Sequence, residues 1–277
     1  MMTKTIGRWM LAAVLAGASQ AAAVDAPSGT LGDYAIFGVR EVTLRSRVKV
    51  LSGDVGCNAP DGTVTMISRA NVSGAVAGNE IRMGQKTSAG ALFCTLLKQE
   101  GVKGGATSCV ATTPPLVDSA SLPIVQVSPG TEDKRLAKGQ TLDPLAPGAY
   151  NIIKVANGAK LVLAGGDYSV RLIELRKGAQ LLCSAACHIS VLERVRVGER
   201  SELGPVPPLD ATGVRLDIKG EGQFPAFRAL KGSTVAANVY APGDGVWLGQ
   251  NGNYTGAFVG ENVLVFPGAT IEAASAL

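Results

Sequence analysis

The sequence predicts an all-β fold, a right-handed parallel β-helix with one short flanking helix in an insertion. Three observations carry that expectation: a ladder of segments at a constant spacing, a second repeat shared by early and late parts of the chain, and an unusual composition. Of 277 residues, 35 are Gly, 5% are aromatic and 17% are charged. Typical soluble domains carry about 25% charged residues, so a charge-laced coiled coil is excluded, and so is a disordered chain. A core with few aromatics needs small, repeated side chains.

The N-terminus reads as an export signal. Lys4 and Arg8 flank the start of a short apolar run from Trp9 to Gly17, and Ala21-Ala22-Ala23 supplies the small-residue cleavage pattern. The run is shorter than the ~20 residues a membrane-spanning helix needs, and no later segment is long and apolar enough to span. The expected organisation is a signal peptide at 1–23 and a single solenoid domain at 24–277. Removing Lys4 and Arg8 takes the formal net charge from +4 to +2. So small a charge points away from nucleic acid as a partner.

The ladder aligns Val155 to Leu163 with Leu175 to Cys183 and with Val195 to Leu203, placing Gly158, Gly178 and Gly198 at one phase. Ile152, Leu172 and Leu192 keep the same step. A fixed period near 20 is the signature of a solenoid. Glycine at one phase marks a turn of unusual backbone angles, and alternating apolar residues beside it read as short strands. The leucine-rich-repeat spacing is missing, and a step of 20 is not a multiple of six, which argues against a left-handed hexapeptide helix.

The second repeat joins Asn71-Val-Ser-Gly74-Ala-Val-Ala-Gly78 to Asn253-Tyr-Thr-Gly256-Ala-Phe-Val-Gly260, continuing to Met83 and Val265. Residues 31–84 and 150–271 are therefore expected to form one β-helix, with an insertion at about 85–147. Ala89, Leu92, Phe93, Leu96 and Leu97 fall on one helical face, so a short helix is expected from Ser88 to Glu100. The prolines at 114, 115, 123, 129, 144 and 147 make the rest of the insertion extended or loop-like. Such an excursion is suited to covering the solenoid.

Export places the five cysteines in an oxidising compartment, where neighbours in sequence tend to pair. The spacing favours Cys183 with Cys187 and Cys94 with Cys109, leaving Cys57 as a buried thiol, although five cysteines permit other pairings. Cys183-x3-Cys187-His188 departs from the Cys-x-x-Cys-His of covalent haem, and zinc needs four ligands where three are local. We expect no cofactor and no metal site.

Leu31-Gly-Asp-Tyr34-Ala-Ile-Phe37, followed by Leu51-Ser-Gly-Asp54-Val-Gly56, resembles the opening of bacterial ice-binding-like β-solenoid domains. Pro147-Gly-Ala-Tyr150 is similar to that family's entry into its main ladder. Ala237-Asn-Val-Tyr240-Ala-Pro242 and Tyr254-Thr-Gly-Ala-Phe258-Val-Gly260 resemble modules of choice-of-anchor surface proteins. The resemblance covers most of the chain through short glycine-rich motifs. It implies a β-solenoid fold and export from a bacterium, and it raises ice binding as a function.

Ice binding requires a flat face of ordered Thr, Ser or Ala with little charge. The ladder instead stacks Lys160, Gln180 and Arg200 at one phase and Ala156, Arg176 and Arg196 at another. Thr63-x-Thr65 is an isolated unit. Lys160, Arg176, Lys177, Arg196 and Arg200 are the candidate ligand-binding residues, because guanidinium and ammonium groups on adjacent coils suit carboxylates or sulfates of an anionic polysaccharide. Glu174, Glu193, Glu199 and Glu202 lie close enough in sequence to neutralise them.

Enzymatic β-helices cluster acids on one face, whereas Asp54, Asp167, Asp210, Asp217 and Asp244 fall singly at turns. No catalytic residue is assigned, and His188, the sole histidine, is the only base a Ser-His-Asp arrangement has. The expected protein is a non-enzymatic surface or envelope module, secreted or held in the cell envelope. It binds an extracellular polysaccharide or cell-envelope component, or it self-associates. Ice binding and a polysaccharide lyase or hydrolase are the alternatives.

Overall fold

The computed structural model describes residues 29–101, 108–221 and 225–274. The segment read as a signal peptide lies outside them. The described chain is a β-solenoid of about 11 turns in which every strand pairing is parallel. No helix in it is long and apolar enough to cross a membrane.

Each coil crosses three faces, and one coil shows why the sequence does this. In Gly166–Leu175 and Gln180–Cys183, the side chains of Tyr168, Val170, Ile173, Leu175, Leu181 and Cys183 are buried. Asp167, Ser169, Glu174 and Gln180 alternate with them and face outward, as the two-residue period of a strand requires. Burying each Val, Leu or Ile stabilises the coil by about 1.5–3 kcal/mol. Neighbouring coils lie about 4.8 Å apart.

The corner between the second and third faces is the same in ten coils. In stacking order it holds Gly139, Gly158, Gly178, Arg200, Gly232, Asn251, Gly268, Arg47, Arg69 and Lys86, all with φ between 52° and 72°. Each of these amides donates to a carbonyl in the next coil: Gly158 to Lys177, Gly178 to Glu199, Arg200 to Lys231, Gly268 to Ser46, Arg47 to Ser68. A left-handed residue turns the chain while aiming its N–H along the stack.

That spine corrects the expected ladder. Leu175 pairs with Val155 but also with Val197, not Val195, and Gln180 pairs with Lys160 and Glu202, so Arg200 rather than Gly198 takes the left-handed corner. One additional residue sits in the Cys183–Cys187 corner, and another at the register shift after Val191. An ungapped alignment cannot see either. The second repeat is in register: Asn71 and Asn253 occupy one file, linked through Lys49 and Thr270.

The first described strand lies in the middle of the solenoid. The first strand, Tyr34–Leu44, pairs on one side with Asp54–Cys57 and Thr63–Met66, and on the other with Phe258–Val265. Coils therefore grow outward from residue 34 to one end of the stack, at Ser88–Gln99. They resume at the opposite end with Asp133–Leu136 and return to meet the first coil.

The expected helix is absent: Ser88–Gln99 is the strand that makes the terminal coil on that side. Its inward residues are Ala89, Leu92, Cys94 and, partly, Leu97. Alternation slips by one residue at each corner, so two- and three-residue steps mix and imitate a helical period. With Ser88–Gln99, Asp133–Leu136 and Thr141–Leu145 in the solenoid, the excursion is confined to about 100–132 rather than 85–147.

The excursion runs along the first face and covers it. Val110 pairs with Phe93, and Cys94–Cys109 is a disulfide. Leu116, Val117, Leu122 and Val125 then pack on Tyr34, Phe37, Tyr240 and Val259, forming a second apolar layer outside the solenoid. The buried Asn58 side chain grips the strap: its Nδ2 donates to the Val117 carbonyl and its Oδ1 accepts the Val117 amide, both at 2.9 Å. Farther along, Tyr240 donates to the Pro123 carbonyl and the Ser128 amide donates to Ser169.

Candidate functional site

With the first face strapped, the second and third faces remain open among the described residues. Outward positions on the second face form a continuous file across the coils. Arg135, Lys154, Glu174, Arg196, Arg228 and Trp247 pair in succession. Beyond Trp247 the file continues through Leu264, Thr43, Thr65, Arg82 and Lys98.

The first half is a cationic ladder broken at one rung. Glu174 Oε2 accepts from Lys154 at 3.0 Å and Oε1 meets Arg176 Nε at 3.0 Å. Partial burial pulls the Glu174 carboxyl upward. The Lys154 hydrogen bond and the charges of Lys154, Arg176 and Arg196 outweigh it, and the net shift is downward. Arg171 is paired with Glu193 at 2.7 Å. Arg228 lies over the Trp247 ring, 5.4 Å from its centroid. A groove of about 210 Å³ opens between these rungs, with Leu172 and Pro225 as apolar walls and Arg194, Arg196 and Arg228 as donors.

The five expected binding residues divide between two faces. Arg196 stands on the file. Arg176 and Lys177 sit at its corner and, with Arg196 and Glu199, line a shallower groove of about 230 Å³. Arg200 is the left-handed corner residue of the next coil. Lys160 lies on the third face between Thr141 and Gln180. Lys154, Arg194, Arg228 and Trp247 were missed. Lys154 precedes its neighbour Glu174 by one ladder period and was recoverable from the repeat. Arg228 follows its neighbour Arg196 by much more than one period, so no repeat reveals it.

On the first face, His188 sits between two carboxylates. Its Nε2 is 2.8 Å from Asp217 and its Nδ1 is 3.4 Å from Asp167, while Arg215 donates to the other Asp217 oxygen at 2.9 Å. The hydrogen bond to Asp217 raises the His188 pKa against its partial burial. Burial pulls the Asp217 carboxyl up, but the bonds from His188 and Arg215 hold it below the usual carboxylate range. The sulfurs of Cys183 and Cys187 are joined to each other, so neither is a thiol for haem attachment, and Cys57 is a buried free thiol.

The third face differs in kind. Its outward file reads Lys160, Gln180, Glu202, Thr234, Asn253, Thr270, Lys49, Asn71 and Ser88. Next to it, Gly204 is followed by Ala236 and Thr255. From Thr234 to Thr270 the first of these files carries no charge, whereas the second runs from Ala236 and Thr255 to the exposed Glu272. Comparison of the chain with protein-family models, with curated proteins and with solved structures gave no match.

Proposed function

We propose that this protein is an exported, non-enzymatic surface or envelope module whose second face binds an anionic polysaccharide. The observation that carries the reading is the in-register run of Arg196 and Arg228 ending on Trp247, with Lys154 farther along the same file beyond its ion-pair partner Glu174. Cations repeated on a rigid β spacing match acidic groups repeated along a polymer, and guanidinium pairs them bidentately. The indole offers a flat apolar surface for a sugar ring beside those charges. Two disulfides agree with an oxidising compartment outside the cytoplasm.

Gel-retention electrophoresis on neutral, carboxylated and sulfated polysaccharides, with soluble products assayed in parallel, tests this reading. Retention by the anionic gels, lost in Arg196→Ser/Arg228→Ser and weakened by salt, is the expected result. Retention unchanged in that variant ends the proposal for this face, and released products overturn the non-enzymatic reading.

A second reading is favoured by the small patch of Thr234, Asn253, Thr270, Ala236 and Thr255 on the third face, bordered by Glu202, Glu272 and Lys49. Lys160 stands three rungs from Thr234 on this face and Arg196 lies on the second face, so within the patch itself no basic side chain interrupts a surface that ice could meet. Thermal hysteresis and shaped ice crystals, abolished by Thr255→Arg, are the expected signs. Unshaped crystals at high protein concentration exclude it.

A further inference from the structure

The far half of the second face contains a larger groove, of about 670 Å³, that the cationic ladder does not use. We propose that it is a second saccharide subsite, for a neutral, hydroxyl-rich unit. The inference rests on the reading of this face as a polysaccharide track and adds a substrate class to it.

The floor is a grid set by strand register. Thr63 lies between Glu41 and Glu80, and Thr65 lies between Thr43 and Arg82. Val64 and Met66 point inward and are buried, which fixes both threonines outward. Asn262 borders the grid beside Glu41. The wall is the 58–62 loop, whose Ala59 and Asp61 line the groove together with Arg40.

This wall is held rigidly. The Asn58 amide donates to the Gly38 carbonyl and the Gly62 amide to the Ala59 carbonyl, both at 2.9 Å. The Asn58 side chain is fastened to Val117, and Cys57 Sγ donates to the Arg40 carbonyl at 3.0 Å. A loop fixed at both ends loses little conformational freedom on binding.

The charges select the ligand class. Arg40 is answered by Glu261 at 3.1 Å, and Arg82 by Glu80 at 2.7 Å. Glu80 also binds Lys98 at 2.7 Å, and the hydrogen bonds from Arg82 and Lys98 hold its carboxyl at about 2. Both cations are thus locally compensated, while Asp61 and Glu41 add negative charge. An anion gains nothing there. Two carboxylates, two threonine hydroxyls and an Asn amide instead offer acceptors and donors to the vicinal hydroxyls of a sugar. Thr65 lies three rungs from Trp247, roughly 14 Å along the face, so one polymer can reach both grooves.

The test is calorimetric titration with neutral gluco- and manno-hexasaccharides. Wild-type protein is expected to bind at least one of them, with affinity unchanged by Arg196→Ser/Arg228→Ser and little affected by roughly 0.5 M salt. Asp61→Asn/Thr65→Val should weaken it by about tenfold or more with an unaltered melting temperature, and Asp61→Asn alone should weaken it less. No heat with any neutral hexasaccharide, or equal affinity in the double variant, overturns the subsite. Anionic-gel retention is read separately through Arg196 and Arg228, so the failure of one groove is distinguishable from failure of the other.

Discussion

The amide of Gly268 donates to the carbonyl of Ser46 at 3.0 Å, joining the last corner of the chain to the first. Around that bond Phe258 packs in register with Ile36 on one side and Val239 on the other. The two blocks, 34–99 and 133–272, are therefore continuous only through a seam made by parallel strands distant in sequence, and through the strap outside them. Phe258 is fully buried and meets Tyr254 edge-on with centroids 5.9 Å apart.

Phe258→Ala is expected to cost about 3–5 kcal/mol and to weaken the seam more than either block. Calorimetry is expected to show one unfolding transition for the wild type and two for the variant. A variant that melts in one transition at the wild-type temperature contradicts a seam that couples the blocks.

The spine of left-handed corners gives a second expectation. Gly178 has φ 67°, and the nearest atom an added Cβ would meet is the Gly158 nitrogen at 3.9 Å, so the site is open and only the backbone conformation resists a side chain. Gly178→Ala should destabilise by about 1–2 kcal/mol. Arg200 already bears that strain at φ 53°, and Arg200→Gly should be neutral or stabilising by less than about 1 kcal/mol, because glycine's greater unfolded-state freedom offsets the relief. Paired denaturant melts check both signs.

Asn58 supports the strap. Asn58→Ala leaves the buried amide and carbonyl of Val117 without their partners, at a cost of about 2–3 kcal/mol. Amide hydrogen exchange should accelerate across the strap around Val117 and Ser121 while the solenoid strands keep their protection. Unchanged exchange at Val117 shows that other contacts suffice to hold it.

Repetition is what made the fold legible. Lys160 and Gln180, or Asn71 and Asn253, occupy equivalent positions because the intervening coils have regular lengths or compensating ones. The same logic failed wherever one coil gained a residue, as at the Cys183–Cys187 corner, and there Arg196 was matched to Arg176 when its true neighbours are Glu174 and Arg228. Ser88–Gln99 was misread because corners interrupt strand alternation. Nothing local reveals that Tyr34–Leu44 receives Phe258–Val265, since only side-chain complementarity between opposite ends of the sequence specifies it. The second-face file was half legible for the same reason: corners give the coil period, but the outward register depends on every bulge.

The His188 cluster sets a pH dependence with a defined sign. His188 has a raised pKa in the folded protein, so its contribution is complete below the unfolded value of about 6.5 and fades as pH rises through the folded value. Asp217 is shifted downward, so its contribution is present above about 3.9 and fades as pH falls through its folded value. The pair therefore stabilises most between those limits. Exposed Asp167 and the Arg215 guanidinium complete the charges facing the ring. His188 is nearly half exposed, so solvent screening keeps the effect below about 1 kcal/mol. Melting temperatures of wild type and His188→Gln should differ most near pH 5.5 and converge near pH 9. Asp54 and Asp244, whose carboxyls are raised by burial, contribute equally to both proteins and cancel in the difference. A gap that widens toward alkaline pH contradicts a charged His188 bridging Asp217 and Asp167.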